Sequence, residues 1–334
     1  MIMIENINKN IISLKSQFDA SAIHEISLRI LNEIGIPITS GKALDLLLDI
    51  GCKVNGNRTR VFIPGDLIAE SLKRGIPTGL AAYPVMGMTG PVTLEGSLAL
   101  ANANVLAALV ITQNINHGNP FLYMIMAGSF DMSSTESVSA SPEIWQYYVA
   151  GQKMAGYYGL PSQCIVSGDS KHSDAQLVME KLPGMLISVL SGINLIHGSF
   201  CEMDCTNGAS YEQILIDNEM ISMIKQLVTD PGYFQGDINQ DTIFNDIRQS
   251  LEDPMYFMTS DVTMNEFQKR LWNSDLLVRQ NFNRWHTGGM KSMTDHAIQK
   301  ARDILDHYEV DPLDPVVLRE INGIVRKAHT RYPS

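Results

Sequence analysis

Apolar positions recur close to a 3.6-residue period over Ser21 to Ile34, where Ile23, Ile26, Ile30 and Ile34 share one face. The pattern predicts a helix, and Gly35 ends it. A second helix is expected over about Lys42 to Asp49, closed by Gly51, followed by an extended segment, Arg60 to Ile63. Pro64-Gly65-Asp66 leads into a third helix ending near Arg74. These elements define an N-terminal helical unit, residues 1–74.

From Gly75 the rhythm changes. Five short apolar runs follow, each ending in small or polar residues: Leu80 to Tyr83, Phe121 to Met126, Gln163 to Ser167, Ile193 to His197 and Met255 to Thr259. Helical stretches separate them. Their starts carry cap signals: Ser141-Pro142-Glu143, and capping-box spacing at Ser173/Gln176 and Ser210/Gln213. The most apolar stretch, Val92 to Thr112, is interrupted by Glu95, Asn102 and Asn104 and reads as a buried helix, with no membrane span expected. Continuous apolar strands alternating with helices predict an α/β domain with about five parallel strands, spanning residues 75–334. Its C-terminal part, from Trp285, is helical and broken by Pro312 and Pro315. Ligands of such sheets bind beyond the carboxyl ends of the strands.

Composition narrows the partners. A net charge of -11, from 36 acidic against 25 basic residues, argues against nucleic acid and anionic membrane and leaves room for a cationic ligand, which an acidic protein would attract. Four scattered cysteines and the lack of an apolar leader pattern at the N-terminus point to a reduced, cytoplasmic setting. No GxGxxG after a strand, P-loop or HExxH occurs.

Candidate chemistry collects at the strand ends. Asp131, Asp169, Lys171, Glu202 and Asp261 each follow an expected strand. In a barrel they would meet at one mouth, where carboxylates could hold a cation or move a proton. Equally, each acid could simply cap the next helix. Tyr83, Tyr123, Phe130 and Phe200 lie in or beside the same ends, and aromatic faces hold quaternary ammonium groups. His197, Cys201 and Cys205 have the spacing of a zinc site only if the segment were helical, which Gly198 opposes; no metal is expected on the chain. Cys164, inside a strand, reads as a small buried hydrophobe.

Several stretches resemble the trimethylamine methyltransferase family. They are His24-Glu25-Ile26-Ser27-Leu28, Gly51-Cys52-Lys53-Val54, Arg60 to Pro64, Gly87 to Gly96, Tyr158-Gly159-Leu160-Pro161, Asp169-Ser170-Lys171 with Asp174-Ala175-Gln176, Ser210 to Gln213 and Ala301 to Leu305. With no pyrrolysine, the chain is more similar to the branch of glycine betaine:corrinoid methyltransferases. The resemblance implies a TIM-type barrel. It also implies transfer of a methyl group from a quaternary or tertiary methylamine to Co(I) of a corrinoid, carried by a separate protein. Tyr83, Phe130, Asp131, Asp169, Lys171, Glu202 and Asp261 would then line the substrate mouth. Gly87, Thr89, Gly128, Ser129, Gly168 and Ser170 would face the corrinoid. One part of the family pattern is missing: Leu72-Lys73-Arg74 runs directly into Gly75-Ile76-Pro77, where the family carries its early barrel strands. Five strands do not close an eight-stranded barrel, so the expectation is an incomplete one, assembled as a homo-oligomer. Two other readings stay open: a non-catalytic family remnant that acts as a binding or assembly partner, and a zinc-dependent methyltransferase.

Overall fold

The computed structural model describes residues 19–38, 41–57, 59–66, 78–115, 119–229, 240–253, 255–309 and 311–331. Helix α1, Ala20–Arg29, is capped by Asp19, whose carboxylate accepts from the Ala22 N–H at 3.1 Å. It runs into a π turn, Ile30–Ile34, and stops at Gly35, where φ is +72°. Helix α2 spans Gly41–Asp49. Strands β1 (Ile36–Pro37), β2 (Lys53–Val54) and β3 (Arg60–Phe62) form a small antiparallel sheet in the order β1-β3-β2. The third helix expected here, to Arg74, lies outside the described residues from position 67 onward.

The principal sheet has four strands in the order β10-β9-β6-β4: β4 Thr78–Ala82, β6 Phe121–Ile125, β9 Ser162–Ile165 and β10 Leu195–His197. All three pairings are parallel, so spatial order follows chain order. The crossovers carry helices α3 (Leu94–Ile115), α4 (Pro142–Tyr158) and α5 (Ala175–Ser191), and α6 (Tyr211–Val228) follows β10. Right-handed crossovers that always step the same way place their helices on one face. A smaller sheet, β5 (Val85–Met86), β7 (Gly128–Asp131) and β8 (Glu136–Val138), extends beyond the ends of β4 and β6. Strands β11 (Glu202–Met203) and β12 (Gly208–Ala209) form a hairpin after β10.

The fifth expected strand is not a strand. Met255–Thr259 contains a short helix, Tyr256–Thr259, and Met255, Phe257 and Met258 are exposed. An apolar run of this length fits a strand or a helical turn equally well. Here Ser260 accepts from the Thr263 N–H at 3.3 Å and starts a new helix, Asp261–Arg270. The parallel sheet of the described residues therefore has four strands, and no closed barrel forms among them. A second difference is smaller. The cap of α5 is Asp174, whose carboxylate accepts from Leu177 N–H at 3.0 Å, while Ser173 meets the Ser210 hydroxyl at 3.1 Å.

Helix α3 is the one described helix long and apolar enough to cross a membrane, but 67% of that window is buried inside the protein. Its Asn102 is fully buried and fully engaged. It donates to Ser27 Oγ of α1 at 2.9 Å and to the Tyr158 hydroxyl of α4 at 2.8 Å, and accepts from the Tyr123 hydroxyl of β6 at 2.7 Å. This polar junction ties the N-terminal helix to the sheet. One apolar core continues from Ile23 through β4–β10 to Ala297.

Helix α4 approaches β6 at Gly151. A Cβ there would lie 2.4 Å from Ile125 Cγ2 and 2.9 Å from Cγ1. Ile125 is β-branched and 1% exposed, so it has no rotamer into which to retreat. Gly151→Ala is expected to lower stability by about 1–3 kcal/mol through overpacking, despite the better helix propensity of alanine. Urea denaturation should show a lower midpoint at unchanged slope.

Candidate functional site

Pleating sorts the strand residues onto two faces. Tyr123 and Cys164 point to the helices, since the Tyr123 hydroxyl reaches Asn102 and the Cys164 thiol donates to Ser188 Oγ at 3.3 Å. Burial pushes the Cys164 thiol up to about 12, which suits a buried hydrophobe. Leu122, Met124, Gln163, Ile165, Leu195 and His197 therefore share the opposite face. Continuing that face past the carboxyl ends leads to Tyr83, Met126 and Ser167. These residues line a cavity of about 350 Å³ with Ala127, Ser137, Ser139, Ile165, Cys205 and Thr206.

The roof of this cavity comes from two loops fastened by hydrogen bonds. Asp169, just past β9, accepts from Ser139 N–H at 2.9 and 3.1 Å, from Ser139 Oγ at 2.6 Å and from Ala140 N–H at 3.3 Å. That clamps the end of the β7–β8 hairpin over the sheet. Glu180 of α5 holds the same loop from behind, accepting from the N–H groups of Asp169 and Ser170 at 2.7 and 3.0 Å. The second loop, after β10, carries four non-glycine residues at positive φ: Cys201, Asp204, Cys205 and Thr206. Each such residue costs of order 1–3 kcal/mol and persists only where its surroundings impose it. The restraints are visible. Asp204 N–H donates to Ser170 O at 2.9 Å, Cys205 N–H to Gly168 O at 3.0 Å, and Cys201 N–H to Asp217 Oδ2 at 2.8 Å. Asp217 is itself paired with Lys181 at 2.7 Å, both side chains fully buried. The Lys181 ammonium also reaches the Glu202 carbonyl at 3.2 Å.

The cavity walls are chemically mixed. Burial, with Cys205 and Asp169 nearby, pushes the Tyr83 hydroxyl up to about 12, so it stays neutral. Burial likewise raises the Cys205 thiol, with Asp169 adding to the effect. Ser167 Oγ is buried and has no hydrogen-bond partner, and the same holds for Ser199 Oγ, just past the adjacent strand β10, and for Glu202 Oε2 at the start of β11. Burial raises the Glu202 carboxyl above its usual range, against the pull of His197 and Lys181. Three unpartnered polar atoms in the segments that follow β9 and β10 are polar capacity awaiting a ligand or water. Gly128 keeps the cavity open. A Cβ on it would meet Ser137 Oγ at 3.0 Å and the Tyr83 hydroxyl at 3.1 Å.

The expected site residues separate into two groups. Tyr83 lines the cavity, Asp169 fastens its roof and Glu202 stands at the next strand end. The others turn elsewhere. Asp131 accepts from Ser133 N–H at 2.9 Å and Ser134 Oγ at 2.7 Å in its own turn, which lowers its carboxyl to about 2. Phe130 lies beside the Gly87 turn. Lys171 pairs with Asp204 at 3.1 Å on the surface. Asp261, with no strand before it, opens an exposed helix. Among the loop residues, Thr89 Oγ1 accepts from Val85 N–H at 2.9 Å, Ser129 Oγ meets Ser141 Oγ at 3.2 Å, Ser170 Oγ donates to Asp174 at 2.9 Å, and Gly168 holds Cys205. His197, Cys201 and Cys205 do not converge: His197 Nδ1 accepts from Gln163 Nε2 at 2.7 Å, and Cys205 lines the cavity. No three His, Cys, Asp or Glu side chains are grouped to hold a metal among the described residues.

A family profile for trimethylamine methyltransferase matches residues 65–333. The chain belongs to the trimethylamine methyltransferase family. It is 31% identical over 270 residues to a trimethylamine methyltransferase of Desulfitobacterium hafniense, covering 80% of this chain and 53% of that protein. It is 30% identical over 268 residues to one from Methanosarcina barkeri, covering 80% and 52%. A glycine betaine methyltransferase from another strain of Desulfitobacterium hafniense is 27% identical over 250 residues, covering 74% and 50%. The chain thus spans about half the length of the curated relatives it matches.

In this family member the sequence reading passed over Ser137, Ser139, Ser167 and Thr206, all of which line the cavity. The alternation Glu136-Ser137-Val138-Ser139 carried a signal, since it is a strand pattern with serines on one face. Lys181 was also missed. A single lysine in the apolar stretch Leu177 to Leu190, with Gln213 and Asp217 one helical turn apart, marks a buried pair.

Proposed function

We propose that the cavity binds a small quaternary or tertiary methylammonium compound, and that the chain takes part in moving a methyl group from its nitrogen. The observation that carries this reading is the cavity at the carboxyl ends of four parallel strands, which combines an aromatic wall, a carboxylate-fastened roof and an unpartnered buried hydroxyl. Its volume of about 350 Å³ suits a small molecule. The family relationship supports methyl transfer, since its curated relatives are named for trimethylamine and glycine betaine. The acceptor in this reading is a corrinoid on a separate protein, whose Co(I) supplies the electron pair for the new bond to carbon while the amine leaves with the N–C pair. The chain's own residues would hold and orient. Tyr83 offers its ring to the cation. The charge of Glu202 and Asp169 favours the ammonium over the neutral product, and exclusion of water strengthens both effects.

The test is calorimetry with glycine betaine and trimethylamine, followed by a spectroscopic assay of methyl transfer to Co(I) cobalamin. Absence of binding and of transfer across a panel of methylamines overturns the reading. Tyr83→Leu should weaken binding about two- to fivefold, as expected for a partly exposed cation–π contact of about 0.5–1 kcal/mol. A pH dependence follows from Glu202. Its folded-state pKa is raised by burial, so the carboxyl gains its charge at a higher pH than a free carboxylate does. Cation affinity should rise as pH increases through that raised value, and Glu202→Gln should flatten the profile. The same group contributes to folding with the opposite sign. Its stabilising share is full below the unfolded-state pKa and is lost as pH rises through the folded one.

A further inference from the structure

We propose that two copies of this chain close a single eight-stranded barrel, the free edge of β10 in each copy pairing in parallel with the free edge of β4 in the other. Four features of the fold point to a second copy.

The strand order is the chain order, every pairing is parallel and the helices lie on one face. That is half of an eight-stranded (β/α) barrel in both topology and strand number. Next, the two faces of the sheet are unequal. Phe121, Tyr123, Ile125, Cys164 and Ile196 are buried against the helices. On the other face Leu122, Met124, Ile165 and Leu195 are only partly buried and His197 is exposed, while Gln163 at its centre is buried. Parallel sheets are covered on both faces.

The edges are the third feature. Among the described residues β4 pairs only with β6, and β10 only with β9. Between β4 and helix α3 runs a mostly apolar groove of about 470 Å³, walled by Ile36 to Ile38, by Leu80 to Pro84 and by the α3 face from Leu100 to Thr112, with Leu80 42% exposed. An apolar strand edge left open invites another strand. The fourth feature is complementarity. Rotation by a half-turn about the barrel axis keeps all strands parallel. It brings β10 of each copy to β4 of the other, so a single operation satisfies both edges and covers the less buried face of each sheet. The same closure completes the ring of strand ends around the cavity with the partner's strand ends.

The readout is mass, so the proposal stands or falls apart from the methylamine reading. Light scattering on the purified chain at micromolar concentration should give twice the chain mass of 37.0 kDa. Ala81→Lys on β4 and Leu195→Glu on β10 lie on the less buried face at opposite edges, and neither residue is fully buried within one chain. Each variant alone should halve the mass. Mixing the two should restore the dimer, because the heterodimer has one unaltered edge pair and one Lys–Glu pair. Variants that had merely failed to fold would not rescue each other. A monomeric parent chain overturns the proposal, as does a dimer that both variants leave intact.

Discussion

Lys181→Met is expected to lower the stability of the chain by about 3–5 kcal/mol, the range for breaking a buried ion pair by removing one partner. Lys181 and Asp217 are both fully buried, with 2.7 Å between ammonium and carboxylate. Removing the cation strands a carboxylate whose remaining partners are Gln213 Nε2 at 2.8 Å and the Cys201 N–H at 2.8 Å. Burial already pushes the Asp217 carboxyl above its usual range against the pull of Lys181, so without that pull it rises further. The pair also anchors the loop that holds Cys201, Asp204, Cys205 and Thr206 at positive φ. Chemical denaturation should therefore show the stability loss, and a fluorescent or calorimetric ligand titration should show the cavity wall relaxing. The double variant Lys181→Met/Asp217→Leu should recover most of the stability, because it removes the unpaired charge. If the single variant is as stable as the parent, the pair is not the anchor described here.

Asp169→Asn is expected to cost about 1.5–3 kcal/mol, the usual range for hydrogen bonds to a charged acceptor. The carboxylate accepts on both oxygens, with Ser139 N–H and Oγ at Oδ1, and Ser139 and Ala140 N–H groups at Oδ2. Asparagine presents an NH₂ group to one of these sets of donors, so the nearly isosteric change does not rescue the contact. The β7–β8 hairpin should come away from the mouth, and methylammonium binding should weaken by more than in Tyr83→Leu. The comparison of Asn with Ala at this position is informative. If Asn behaves like Asp, the clamp is steric; if it behaves like Ala, it depends on the charge and both acceptors. Denaturation midpoints and calorimetric affinities of the two variants check this.

Much of the frame was readable in the sequence because local rules and tertiary structure agree there. Apolar runs bounded by glycine and proline gave β4, β6, β9 and β10 within a few residues. Ser210 caps its helix through Gln213 N–H as its spacing predicts. Met255 to Thr259 misled because four apolar residues and a threonine are too few to carry a period, and only neighbouring strands could have made them a strand. The site was less legible. Asp131 and Asp169 look alike in sequence, each following a strand. Asp131 closes on serines two and three residues away, whereas Asp169 reaches Ser139 thirty residues away.

The opening hydrophobic pattern by itself determined the α/β class, the strand–helix alternation and the end of the strands at which polar side chains collect. These follow from side-chain periodicity and from the need to satisfy backbone hydrogen bonds, both of which act over a few residues. Only the tertiary structure decided which polar residues face a common cavity, which are absorbed by their own turns, and that the parallel sheet of the described residues has four strands. Those outcomes depend on long-range register, and on whether a buried polar atom such as Ser167 Oγ finds a partner across the fold.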